Sequence, residues 1–310
     1  MRPLISLCMP TNGISEWVFP VLESIYAQNI KQKWFEVIVA DNGNNRKFRK
    51  EMEAYAAGHE NLYYYPSGTN EFMSEPDAYR HARGVFIKFL NHRTRLTDGA
   101  LRYWLRFVKK YESEKPVIYF TNGVLKRKKK VTTVKDFSSF VRELGIYSSW
   151  STGMAFWKED FDRIPDSERY HELYPHTNIL FSRRDAKTYM IDDSILLDEM
   201  PSGDRHKGTY NLFYAFAVDY PQILLDLVRD GDLRICDFAH VKKKNRAFVQ
   251  ELYYQYIVKK MPCTYDLSGY KKACGVFYSM AAVRMGVPGL LLKDSARLAK
   301  RMSASLLKGV

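Results

Sequence analysis

The chain has 310 residues, 46% hydrophobic and 27% charged, with 48 lysines and arginines against 35 acids for a net charge of +13. Such usage excludes collagen-like, coiled-coil and wholly disordered chains, and no apolar run reaches the ~18–20 residues of a spanning helix. A field of this sign draws polyanions, whether nucleic acid, anionic lipid or phosphate-bearing substrates.

In chain order, Leu4–Met9 reads as a buried strand stopped by Pro10, and Glu16–Gln28 as a helix with Val18, Val21, Leu22 and Ile25 at helical spacing. A second strand, Phe35–Ala40, closes on the turn formers Asp41-Asn42-Gly43-Asn44-Asn45. Then come a helix over Lys47–Ala57, a strand over Leu62–Tyr65 and a helix over Glu75–Arg83. After the break at Gly84 follow a fourth strand, Val85–Leu90, a helix over Asp98–Tyr111 and a strand over Val117–Thr121. Strands alternating with helices at this spacing predict an α/β fold, a doubly wound, mostly parallel sheet covered on both faces. Ligands of such sheets sit outside the carboxyl ends of the strands at the switch point, here Pro10–Gly13, Asp41–Asn45 and Asn91–Arg95. Lys126–Lys130, five bases between two extended stretches, predicts a hairpin tip, and Trp150–Trp157 a short strand. From Asn211 helical patterns dominate, with Phe213, Phe216, Ile223, Leu224 and Leu227 on one helix and Phe248, Leu252, Tyr253, Tyr256 and Ile257 on another. The expected organisation is an α/β domain over 1–205 and a C-terminal helical, basic extension over 206–310. From Val241 onward 14 bases stand against 3 acids. Met1-Arg2-Pro3 ahead of Leu4-Ile5-Ser6-Leu7 is too short for a signal-peptide core, so the expected location is the cytosol. Cys8, Cys236, Cys263 and Cys274 are too scattered for a disulfide framework or a zinc site, and are expected to be reduced and structural.

The opening Leu4-Ile5-Ser6-Leu7-Cys8-Met9-Pro10-Thr11-Asn12, the helix end Glu23-Ser24-Ile25-Tyr26-Ala27-Gln28, and Phe35-Glu36-Val37-Ile38-Val39-Ala40-Asp41-Asn42-Gly43 together resemble family-2 glycosyltransferases. Gly84-Val85-Phe86-Ile87-Lys88-Phe89-Leu90 continues the likeness. It covers about the first 105 residues well, the next eighty loosely and the helical tail not at all. The resemblance implies a GT-A-like fold, with donor binding in 1–105 and the acceptor side in 106–205. It also implies a nucleotide-sugar donor, inversion at the anomeric carbon, and a glycan or lipid-linked glycan acceptor of a bacterial surface polysaccharide. The donor-binding positions it marks are Pro10, Thr11, Asn12, Asp41, Asn42 and Gly43. Physically, Thr11 and Asn12 offer a hydroxyl and an amide at one strand end, and Asp41 an acceptor for a base or ribose at the next. Taken singly, the same residues are ordinary turn chemistry.

The chain departs from the family at two places. Where relatives carry Asp-x-Asp for a divalent cation, this sequence reads Asn91-His92-Arg93, which puts use of Mg or Mn in doubt. A guanidinium can instead neutralise and doubly hydrogen-bond a phosphate, and Arg93, with Arg95 behind it, is the candidate. Relatives also draw their base from a Glu-Asp pair. Within Ser167–Leu180 that pair falls on His176-Thr177, leaving His176 or Glu172 as candidate base, with Asp192-Asp193 a weaker alternative. Without either acid motif, a nucleotide-sugar-binding protein that has lost activity is the competing reading. A nucleic-acid binder lacks a recognised signature. The tail after Pro288 sets Leu290, Leu291, Leu292, Leu298, Met302, Leu306 and Leu307 against Lys293, Arg297, Lys300, Arg301 and Lys308, a pattern suited either to an anionic membrane surface or to capping a core.

Overall fold

A computed structural model of the chain describes residues 2–69, 71–165, 168–201 and 208–306, with side chains to 297. Ser167 and the tail side chains of Leu298, Lys300, Arg301, Met302, Leu306, Leu307 and Lys308 lie outside the described set. The chain divides into two compact units, Met1–Pro201 and Ser202–Val310.

The first unit is built on an eight-stranded sheet ordered β3-β2-β1-β4-β8-β6-β9-β7. Its strands are β1 Ile5–Thr11, β2 Phe35–Asp41, β3 Leu62–Pro66, β4 Phe86–Phe89, β6 Val117–Phe120, β7 Val131–Val134, β8 Met154–Trp157 and β9 Tyr189–Asp192. A separate antiparallel pair joins β5 Thr94–Leu96 to β10 Leu197–Glu199. The first four strands are parallel, β8 runs against both β4 and β6, and β9 is parallel to β6. Helices α1 Ser15–Tyr26, α2 Arg46–Ala57, α3 Ser74–Arg80 and α4 Ala100–Tyr111 connect the first half. Val18, Val21, Leu22 and Ile25 of α1 are fully buried, so its 3.6-residue stripe meets the sheet as the spacing requires.

Three sequence expectations are corrected. Pro10 does not stop β1, which continues to Thr11. Cys8 O accepts from Leu90 N, so the polar groups of even-numbered β1 residues face β4. Since β4 has ended at Phe89, the missing N–H of Pro10 breaks no ladder. Lys126–Lys130 does not cap a hairpin, because β9 inserts between β6 and β7 and pairs with both. The crossover is instead wrapped around Asp193, whose carboxylate accepts from Thr121 Oγ1 (2.6 Å), Leu125 N (3.1 Å) and Arg127 N (2.7 Å). Burial raises that carboxyl, but these donors outweigh it and hold it below its usual value. Finally, the strand expected over Trp150–Trp157 begins only at Met154, after a 3-10 turn over Ser151–Gly153.

The segment Tyr147–Met154 around that turn carries carbonyls that buried side chains meet. Tyr119 Oη lies 2.5 Å from both Tyr147 O and Trp150 O and shares its one proton between them, while Thr177 Oγ1 donates to Ser148 O (3.0 Å) and His176 Nε2 to Ser149 O (2.9 Å). Lys88, fully buried in the middle of β4, donates to Thr152 O (2.7 Å), Met154 O (3.2 Å) and Phe89 O (2.9 Å). A Cβ on Gly153 would lie 2.1 Å from the Tyr119 ring, so only glycine permits this approach. Helices α5 Phe137–Leu144, α6 Lys158–Asp162 and α7 Pro175–Leu180 complete the unit.

The second unit is helical: α8 Leu212–Tyr214, α9 Tyr220–Arg229, α10 Ile235–Leu252, α11 Tyr270–Phe277, α12 Met280–Arg284 and α13 Val287–Leu306. Its core gathers Leu212, Phe213, Val249, Leu252, Tyr253, Cys274 and Val283. A π-helical turn over Ala215–Asp219 joins α8 to α9, and Asn245 Nδ2 donates 2.7 Å to Phe216 O within it. No single described helix is long and apolar enough to cross a membrane.

Burial pushes the Lys88 ammonium down to about 7, yet three carbonyls take its three protons, which favours the charged form. Lys88→Met keeps the volume and strands those acceptors, so urea unfolding should show a loss of about 2–5 kcal/mol at neutral pH. A loss below ~1 kcal/mol would show that the carbonyls do not depend on it.

Candidate functional site

The chain lays β1, β2 and β3 outward in one direction and returns to place β4 on the other side of β1, so the strand order reverses between β1 and β4. The carboxyl ends of these two neighbours open the crevice that such sheets use for ligands. Thr11 ends β1 and His92 follows β4, and Thr11 Oγ1 lies 2.9 Å from His92 Nδ1 while accepting from Gly13 N (3.1 Å). Asp41 ends β2 at 1% exposure, its Oδ1 accepting from Gly43 N (2.8 Å) and its Oδ2 from Tyr64 Oη (2.6 Å). Burial and the Asp41 carboxylate hold the Tyr64 phenol protonated, well above its ordinary value. Gly43 is required here because a Cβ would meet Asn12 O at 2.2 Å, where the loops after β1 and β2 press together. Asn45 caps α2 by accepting from Lys47 N and Phe48 N, and its Nδ2 donates to Gly13 O (3.0 Å), tying the same two loops. Asn12 is exposed, while Pro10 and Asn42 are half-buried. Asn42 Nδ2 reaches Glu71 O at 3.3 Å.

The structure thus brings Thr11, Asp41, Gly43 and His92 to one edge, and adds Tyr64 and Trp17, which sequence reasoning missed. Trp17, in the first turn of α1, lies with its ring centroid 5.1 Å from that of His92, and the Arg93 guanidinium sits 5.2 Å over the same indole. Arg93 is also 3.6 Å from Glu199 of β10. Arg95 is committed elsewhere, bound to Asp198 at 2.7 Å directly across the β5–β10 pair. Asn91 Oδ1 accepts from Arg93 N (3.0 Å), an Asx turn. A divalent cation wants several oxygens. At the Asp-x-Asp position this chain places an amide already used by its own backbone and a guanidinium, and no described group of three His, Cys, Asp or Glu is arranged for a metal. The residues present do not fit a magnesium or manganese ion.

Of the candidate bases, His176 is 2% exposed in α7, with Nε2 given to Ser149 O and Nδ1 facing Glu75 Oε2 at 3.4 Å. Glu75, in the first turn of α3, is itself 3% exposed. Glu172, by contrast, is exposed. Asp192 accepts from Tyr103 Oη (2.7 Å) and Ser194 N (2.9 Å), and Asp193 holds the crossover already described. Glu75 and Lys88 gave no sequence signal, since a charged residue in an apolar period reads as an exposed one.

No family model and no curated protein matches the sequence. Solved structures do match. Staphylococcus aureus TarS residues 1–349 aligns over 94% of this chain and 83% of its own at 17% identity and TM-score 0.59. Its complex with UDP-GlcNAc aligns over 91% of this chain and 82% of its own at 18% identity and TM-score 0.59. The mannosyltransferase PcManGT from Pyrobaculum calidifontis, in complex with GDP-Man and Mn2+, covers 96% of this chain and 81% of its own at 16% identity and TM-score 0.50. The chain has the GT-A fold. Because the alignment to TarS takes in 94% of the chain, the likeness extends into the helical unit, where the sequence itself carried no resemblance.

Burial, then the Arg93 charge, pushes the His92 imidazole down to about 4, so at neutral pH it is uncharged beside Thr11. The unfolded chain therefore binds the extra proton first, and this group's stabilisation is complete above pH ~6.5 and lost as pH falls toward about 4. His92→Gln should flatten the acid limb of the stability–pH curve across that window. An unchanged limb would show that the imidazole is protonated in place.

Proposed function

We propose that the chain transfers a sugar from a nucleotide-sugar donor to a glycan or lipid-linked glycan acceptor, with inversion. The observation that carries this reading is the edge formed by Thr11, Asp41–Gly43 and Asn91–Arg93 at the strand-order reversal of a GT-A fold. Its support from relatives is that TarS binds UDP-GlcNAc and PcManGT binds GDP-Man on the same fold. The base and ribose are assigned to Pro10, Thr11, Asn12 and Asp41, and the diphosphate to Arg93.

In the transfer, an acceptor hydroxyl attacks the anomeric carbon, the bond to the phosphate oxygen breaks, and its electron pair leaves with the nucleoside diphosphate. The proton goes to a base, and the leaving group gains charge that must be met by something positive. Arg93 supplies that charge, with the Trp17 face and Glu199 setting its direction. Of the two candidate bases, Glu172 is open to an acceptor, so the proton is assigned to it, and His176, held between Ser149 and Glu75, positions α7. The setting is the cytoplasmic side of a membrane, in the building of a surface polysaccharide, with the basic second unit turned to anionic lipid. The second reading, a donor-binding protein without turnover, is favoured by the burial of His176 and predicts binding with no released diphosphate.

Asp41→Asn keeps both hydrogen bonds, since the amide oxygen accepts from Gly43 and its nitrogen can donate to Tyr64 Oη. It removes the charge, so nucleotide affinity in a thermal-shift titration should fall about 10- to 100-fold with little change in the free protein's melting point. Unchanged affinity would move the donor site elsewhere. Transfer should also survive excess chelator, whereas Arg93→Ala should lower kcat about 10²–10³-fold. Loss of activity on chelation, restored by manganese, would overturn the guanidinium assignment.

A further inference from the structure

A groove of about 360 Å3 lies at the other end of the sheet, lined by Leu4, Ile30, Trp34, Lys31, Arg102 and Arg106, with Lys109 beside them. Leu4 precedes β1 and Trp34 precedes β2, and Leu4 N donates to Trp34 O at 2.9 Å. These are the amino ends of parallel strands, so β1 separates the groove from Thr11 by about 20 Å. Arg102, Arg106 and Lys109 are exposed at i, i+4 and i+7 on α4, a single helical face, while Leu101, Trp104, Leu105 and Val108 turn inward. Lys31 stands in the connection between α1 and β2. No acid lines the groove, and none of these four cations has a carboxylate within 4.0 Å among the described residues. Like charges gathered without a counter-charge repel one another, and an anion relieves this.

The floor decides which anion. Leu4, Ile30, Leu105 and Trp34 are apolar, so the ligand has an apolar part next to its charge. A soluble phosphate makes no use of such a floor. Nucleic acid needs an open aromatic face for stacking. The one indole here has Lys109 Nζ 4.6 Å and Lys33 Nζ 5.3 Å over its ring. An anionic lipid headgroup meets every requirement: phosphate at the cationic rim, glycerol and first methylenes on the floor, and a tryptophan at the polar–apolar boundary. We propose that this groove seats the phosphate of an anionic lipid headgroup and docks the first unit on a membrane. It rests on the reading that the protein works against anionic lipid.

The test uses the full chain and sedimentation with phosphatidylcholine vesicles, with and without a third of phosphatidylglycerol. Arg102→Gln with Arg106→Gln should lower partitioning onto the anionic vesicles about 30-fold in ~0.1 M salt, at ~1 kcal/mol per basic residue. Lys47→Gln with Lys50→Gln, an equal charge loss on α2, should change it less than ~3-fold, being outside the groove by more than a Debye length. If the wild type ignores anionic vesicles, the membrane reading itself fails. If it binds, and Lys293→Gln with Arg297→Gln abolishes binding while the α4 pair does nothing, the groove assignment alone is overturned. Thermal protection by inorganic phosphate as strong as that by short-chain phosphatidylglycerol, and lost in the α4 pair, would make it a free-phosphate site and overturn the lipid assignment.

Discussion

The architecture of the first unit depends on how the carbonyls of Tyr147–Met154 are satisfied. The chain enters β8 through a 3-10 turn in the interior, where an unpaired carbonyl costs about 1–3 kcal/mol. Tyr119 from β6, Lys88 from β4 and His176 and Thr177 from α7 converge on six of these carbonyls. That convergence lets β8 run antiparallel between two strands of the opposite sense, so the parallel half and the distal half form one sheet. The carboxyl edge is continuous because this irregular segment is.

Charge at that edge follows a consistent logic. The turn after β4 holds Asn91, His92 and Arg93, with no carboxylate among them. His92 is kept neutral, the Trp17 indole offers its negative face to the guanidinium, and Glu199 touches it only at 3.6 Å. Arg95, by contrast, is bound at 2.7 Å to Asp198 across the β5–β10 pair. Arg93 is oriented without being spent.

Much of the fold was legible because β1, β2 and β4 are buried on both faces and the helices beside them are amphipathic, so hydrophobic period alone separates them. The exact end of β1 was less legible, since Pro10 reads as a stop while the strand runs on to Thr11. The crossover at Lys126–Lys130 was not legible, since its flanking strands are local in sequence and β9, arriving some sixty residues later, takes the place between them. Lys88 and Glu75 were invisible because burial of a charge is decided by carbonyls and a histidine that only the tertiary fold brings near. Tyr64 and Trp17 read as core aromatics, and only a partner on another strand reveals their polar or cation-facing side.

The Glu75–His176 pair shows how the two halves of the unit are made to agree. Nε2 donates to a backbone carbonyl, so Nε2 carries hydrogen, and in a neutral imidazole Nδ1 would then be a bare acceptor. Nδ1 faces Glu75 Oε2 at 3.4 Å, and both side chains are buried. The contact brings α3, which follows β3, against α7, which follows β8. Separating the helices would leave each buried polar side chain without the other, a cost that neither helix faces while they stay in register. His176, placed by resemblance where a base belongs, is thus held in the packing of α7 by Ser149 O on one side and Glu75 on the other.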